Sequence, residues 1–182
     1  MKRVYILVAE GFEAVETLAP IDVLHRAGVE VVRVAVGGSL KVASSHNLVS
    51  LDCDVLIEEC PFDDCDALVL PGGNPGYINL CNSDIVRGVV KMYYENGTLI
   101  AAICGAPTVL ATAGVASGAH ITCHSTVVDQ MCDYCYDGGS VVEDGNILTA
   151  AGAGVSIAFA LALLARIVDT ETYKRTLRSM EV

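Results

Sequence analysis

The chain has 182 residues, 53% of them hydrophobic, and a formal net charge of −11 at pH 7. A mean hydropathy of +0.51 excludes a disordered chain, and the length suits one domain, spanning residues 1–182, that buries about 70% of its unfolded surface. So acidic a chain, without any lysine or arginine cluster, repels nucleic acid and anionic lipid, and neither is expected as a partner.

Only six apolar residues separate Met1-Lys2-Arg3 from Glu10, too few for a signal-peptide core. The longest uncharged run, residues 147–165, opens as an Ala/Gly turn, and its helical remainder is too short to span a bilayer. No membrane association and a cytoplasmic location are therefore expected. There the eight cysteines stay reduced. Cys132-Asp-Tyr-Cys135 is a lone CxxC without a second pair or spaced histidines, so no metal site is expected.

Strand and helix alternate along the chain. Residues 2–9 form a short apolar strand of the kind covered on both faces in a parallel sheet. An amphipathic helix over 13–27 stops at Gly28, and a valine-rich strand follows over 29–36. Residues 40–58 read as short irregular strands. A buried strand over 67–70 runs into Pro71-Gly72-Gly73-Asn74-Pro75-Gly76, a stiff turn cluster. Ser83-Asp84 caps a helix to about Asn96, and the strand 98–103 leads to Cys104 and a helix over 106–113. A short strand over 119–123 precedes a hairpin joining 141–142 to 147–148. A helix over 154–168, apolar on nearly all sides, reads as buried, and a polar helix over 171–178 ends the series. This order predicts an α/β domain with helices on both faces of a mostly parallel sheet.

The stretch LIAAICGAPTVL breaks an apolar strand at Cys104 with Gly-Ala-Pro. In a strand–elbow–helix turn the nucleophile takes a strained backbone, and the residues two before and two after it must be small. Ala102 and Ala106 occupy those places. The elbow sets sulfur at the start of a helix, where free N–H groups and the dipole are expected to lower the thiol pKa.

Ligands of such sheets bind beyond the carboxyl ends of the strands. The loop carrying Gly72 and Gly73 and the elbow carrying Cys104 fall at that edge, where the Gly73 and Gly105 N–H groups are placed to bind an oxyanion. Glu13 and Glu16, one helical turn apart after the first strand, bring acids to the same edge. Pro20 cannot donate to the Glu16 carbonyl, so a loosened or kinked helix is expected there. An acid pressed against the sulfur in an apolar pocket has a raised pKa and can hold or pass a proton. Of the four histidines, His124 lies at a strand's carboxyl end and is the candidate to cycle protons with Cys104.

AEGFEAVETLAPIDVLHRAG, ALVLPGGNPG, LIAAICGAPTVLA, ITCHSTV and ILTAAGAGVSIAFALAL, in this order over most of the chain, resemble the ThiJ/PfpI superfamily in its branch of DJ-one-like deglycases and glyoxalase III-like proteins. The resemblance implies a flavodoxin-like three-layer αβα sandwich and a homodimer with its active site near the interface. It implies Glu16, Cys104 and His124 as acid, nucleophile and histidine, Gly72, Gly73 and Gly105 as the substrate-binding backbone, and Asp22 and Arg26 as supports. It further implies no cofactor, a small reactive carbonyl substrate such as methylglyoxal, and ready oxidation of the cysteine to a sulfinate held by the glutamic acid. Two positions depart from the branch: His46 stands where an anion-binding arginine is usual, and Ala153 interrupts a Gly-Pro-Gly turn.

The enzyme is one reading, an oxidation sensor or redox-regulated chaperone using the same cysteine the other. A glutamine amidotransferase would need a histidine beyond His124, and none follows. A cysteine peptidase would need His124 as base in an oligomeric ring.

Overall fold

The computed structural model describes residues 2–63 and 65–182. Seven strands make the main sheet: β1 (Arg3–Ala9), β2 (Glu30–Val36), β5 (Val55–Leu56), β6 (Ala67–Leu70), β7 (Leu99–Ile103), β10 (Val141–Asp144) and β11 (Ile147–Ala150). They lie in the order β10-β11-β7-β6-β1-β2-β5. Every pairing is parallel except the β10–β11 hairpin. Two smaller ladders stand apart: β3 (Lys41–Ala43) pairs antiparallel with β4 (Ser50–Asp52), and β8 (His120–Ile121) pairs parallel with β9 (Cys135–Tyr136).

Among the described residues six α-helices complete the fold: α1 (Ala14–Arg26), α2 (Gly76–Asn82), α3 (Asp84–Glu95), α4 (Thr108–Ala113), α5 (Ser156–Ile167) and α6 (Thr170–Ser179). The strand period of two splits the sheet's side chains into two cores. Tyr5, Leu7, Leu68, Leu70 and Ile100 face Val86, Val90 and Leu110 of α3 and α4. Val4, Ile6, Val8, Val69 and Ile103 face Val23 and Leu24 of α1 and Phe159 and Leu163 of α5. The result is the flavodoxin-like three-layer sandwich. Because both faces are covered, β1, β6 and β7 are buried almost throughout, and each fully buried Leu or Ile contributes about 1.5–3 kcal/mol.

Four expectations are corrected. Helix α1 continues through Pro20 as one helix from Ala14 to Arg26 and is not broken there. The strand expected over 119–123 shrinks to β8 and leaves the main sheet, because the β10–β11 hairpin takes the place beside β7. Residues of α2, left without an assignment between the Pro/Gly turn and the Ser83 cap, are helical. The helix expected over 154–168 is not buried all round: a 3₁₀ turn over Ala153–Val155 precedes α5, whose Ile157 is 45% exposed. No helix among the described residues is long and apolar enough to cross a membrane.

Candidate active site

The site lies at the carboxyl ends of β1, β6 and β7, adjacent central strands that bring their following loops to one edge. Cys104 directly follows β7 with φ at +65°. A side chain in this left-handed region costs about 1–2 kcal/mol, so the surrounding structure must hold it there. Both backbone groups of Cys104 are engaged: its N–H donates to Ala150 O at 2.9 Å and its C=O accepts from His124 N at 2.8 Å. The small neighbours Ala102 and Ala106 are fully buried, as a tight elbow requires.

Glu16, on the inward face of α1, is 0% exposed. Gly72 N donates to its Oε2 at 3.0 Å, while Oε1 is buried without a partner of ordinary hydrogen-bond geometry. The Cys104 sulfur is nevertheless close enough for each group to shift the other's titration. Burial pushes the Glu16 carboxyl up to about 7, against the pull of Cys104 and the Gly72 amide; the Glu13 charge adds to the rise. A protonated carboxyl would have the sulfur as its neighbour.

The Cys104 thiol does not show the lowered pKa expected from the elbow. Burial, then the charge of Glu16, pushes it up to about 12, while the N–H groups of Gly105 and Gly73 act in the opposite direction. Helix α4 begins only at Thr108, past the turn, so the sulfur is not seated on its first residue. The two groups titrate as a pair: once the carboxyl carries a proton, its charge no longer opposes the thiolate and the two glycine amides still favour it.

The glycines are required by space. A Cβ on Gly72 would lie 2.5 Å from Glu16 Oε2 and 2.7 Å from Cys104 Cβ. One on Gly73, whose φ is +95°, would meet the backbone of residues 11–13. One on Gly105 would strike the Tyr77 ring at 2.6 Å. Bare backbone therefore approaches the sulfur from two loops.

His124 borders the same cavity. Its Nδ1 accepts from Thr126 N at 3.3 Å and lies 2.9 Å from Thr126 Oγ1. Accepting at Nδ1 places the proton of the neutral ring on Nε2, making that nitrogen a donor. His46 also borders the cavity, on a left-handed backbone with φ at +59°.

Asp22 and Arg26 are not brought to the cavity. They pair with each other at 2.7 Å on the exposed side of α1, four residues apart, and Arg26 reaches toward Ser179 O. His120 pairs with Asp137 on the surface. Cys132 and Cys135 are exposed free thiols.

Glu13, expected at this edge beside Glu16, lines the wall and accepts from Ser45 Oγ at 3.2 Å. The sequence reading passed over other wall residues. Asn74, Tyr77 and Thr126 complete the lining of a cavity of about 290 Å³. The signal for Tyr77 was Gly105 itself, whose missing side chain leaves the room that the Tyr77 ring fills. Nothing local in the sequence marked Ser45, which reaches the site through the β3–β4 excursion.

The DJ-1/PfpI family model matches residues 2–166. Protein DJ-1alpha of Drosophila melanogaster is 37% identical over 181 residues, covering 98% of this chain and 83% of that protein. The glutathione-independent glyoxalase DJR-1.2 of Caenorhabditis elegans is 32% identical, covering 91% of this chain and 86% of that protein. The crystal structure of Drosophila melanogaster DJ-1beta superposes with a TM-score of 0.95 at 34% identity, over 100% of this chain and 98% of the other. Family model, relatives and fold agree over nearly the whole length: the chain belongs to the DJ-1/PfpI family.

Proposed function

We propose that the protein is a cysteine-dependent, cofactor-independent enzyme of the glyoxalase and deglycase type, acting on 2-oxoaldehydes such as methylglyoxal. One observation carries this reading: a cysteine held at positive φ faces two glycine N–H groups and a fully buried carboxyl whose pKa lies near 7. A relative named as a glutathione-independent glyoxalase supports it.

The Cys104 thiolate adds to the aldehyde carbon, forming the C–S bond. The resulting oxyanion sits against the Gly73 and Gly105 amides and takes a proton, giving a hemithioacetal. Glu16, as carboxylate, removes the hydrogen from that carbon and returns it to the neighbouring former ketone carbon. The intermediate is then a thioester of the 2-hydroxy acid. Water cleaves it, releasing the acid and restoring the thiol. One carbon is oxidised and its neighbour reduced, so no external electron carrier is needed. His124 donates from Nε2 to the developing oxygen charge.

The test is lactate formation from methylglyoxal by purified protein in chelator, without added thiol. Cys104→Ser is expected to fall to background and Glu16→Gln to lose roughly 10²–10⁴-fold in kcat. Turnover surviving in Cys104→Ser would overturn the reading.

A second reading, an oxidation-responsive thiol, uses the same partly exposed sulfur. Peroxide would take it to sulfenate and then sulfinate, whose oxygens the Gly73 and Gly105 amides and a protonated Glu16 would hold. Mass spectrometry under limiting peroxide discriminates, since oxidation confined to exposed Cys132 and Cys135 would count against it.

A homodimer in the cytoplasm completes the proposal. Val15 and Leu18 of α1 and Ile157 of α5 are 43%, 40% and 45% exposed on helices that pack together, an apolar face suited to a second copy. Light scattering of the purified chain tests the mass.

A further inference from the structure

The polarity of the cavity wall bears on which 2-oxoaldehyde the site accepts. Small-molecule pockets are usually lined mainly by apolar and aromatic side chains. Around Cys104 the wall beyond the sulfur is instead Glu13, Ser45, His46, Asn74, Tyr77 and Thr126. Not one is a Val, Leu, Ile, Met or Phe. Aliphatic side chains do line a cavity elsewhere: Val36, Val42 and Ile57 stand among the polar residues of a separate one of about 420 Å³ at the ends of β1 and β2.

At about 290 Å³ the space near Cys104 is several times what a three-carbon aldehyde occupies. An alkyl or aryl tail entering it would find no aliphatic side chain to bury against, only the Tyr77 ring and the carbon edges of polar residues, while stripping water from polar groups that it could not satisfy. Hydroxyl groups would find partners. Ser45 Oγ spends its proton on Glu13 Oε2 and keeps its lone pairs, and His46 and Asn74 are exposed on the wall. The Glu13 carboxylate opposes a phosphate or carboxylate substituent.

We infer that the preferred substrates are neutral, polyhydroxylated 2-oxoaldehydes of about six carbons, such as those formed by dehydration of sugars, with Ser45 and His46 binding the hydroxyl-bearing tail. This rests on the carbonyl chemistry proposed above and deepens it.

The experiment compares 3-deoxyglucosone with 2-oxohexanal, an unhydroxylated six-carbon 2-oxoaldehyde, and with methylglyoxal. Concentrations are referred to the open-chain aldehyde. The hydroxylated compound is expected to exceed 2-oxohexanal in kcat/KM by roughly 10- to 100-fold, through KM. His46→Ala and Ser45→Ala each narrow that ratio by roughly threefold to tenfold. His46→Asn, which suits the left-handed backbone and retains a polar side chain, recovers part of it. Turnover of methylglyoxal and 2-oxohexanal with no advantage for 3-deoxyglucosone would overturn this inference and leave the carbonyl chemistry standing. Failure to turn over any of the three would overturn both.

Discussion

Gly72 and Glu16 are fitted to each other: the Gly72 amide donates to Oε2 at 3.0 Å, and a side chain on Gly72 would lie 2.5 Å from that same oxygen. The carboxyl occupies space that exists only because residue 72 has none of its own to fill it. Gly72→Ala is therefore expected to cost about 1–3 kcal/mol in overpacking and to displace Glu16 from the sulfur. Denaturant melts and methylglyoxal kinetics check it, and a Gly72→Ala protein with unchanged stability and kcat would contradict the fit.

Burial of Glu16 makes stability depend on pH with a definite sign. Its carboxyl rises from the ordinary 4.5 to about 7 on folding. The folded chain thus holds a proton more firmly than the unfolded chain. The associated stability is fully present below pH 4.5 and is lost as pH climbs through 7. Glu16→Gln removes this dependence, so at pH 8–9 the variant is expected to be more stable than the parent by up to about 3 kcal/mol, or roughly 5–10 °C in Tm. At pH 4.5 the difference should vanish. Parallel Tm curves for the two proteins across this range would refute it.

The same substitution bears on the thiol. After burial, the Glu16 charge is the largest influence raising Cys104. Replacing it with a neutral amide is expected to move the pH midpoint of Cys104 alkylation downward and to speed iodoacetamide labelling at pH 8 several-fold. Peptide mapping identifies the labelled cysteine. An upward movement would mean that the carboxyl assists the thiolate even when ionised.

The left-handed backbone at Cys104 gives a further prediction. Cys104→Ala keeps the strain at φ +65°, whereas Cys104→Gly relieves it and loses only a methyl group. Glycine is expected to be the more stable variant by about 0.5–1 kcal/mol, read from urea midpoints. An alanine variant as stable as the glycine one would show that the turn holds no strain.

Much of this architecture was legible from the order of residues. The unalternating apolar runs of β1, β6 and β7 follow directly from a sheet covered on both faces. The elbow was legible because Ala102, Gly105 and Ala106 are small for a geometric reason, and Glu16 because the loop after β1 ends beside those after β6 and β7. What escaped depended on contacts distant in sequence. The lowered thiol pKa was inferred from helix placement alone, yet burial and one carboxylate decide it. Asp22 and Arg26, named from the resemblance alone, lie six and ten residues past Glu16 and so, at about 100° per residue, on another side of α1, where they pair in the open. Strand β8 follows a short apolar pattern like the others, yet the β10–β11 hairpin, distant in sequence, occupies the place beside β7.

The hydrogen bond that His124 N donates to Cys104 O carries a wider consequence. It splices the histidine's loop onto the nucleophile's own backbone, so a tilt of one is transmitted to the other. Nucleophile and histidine are thereby yoked through main chain alone, whatever side chains either position carries.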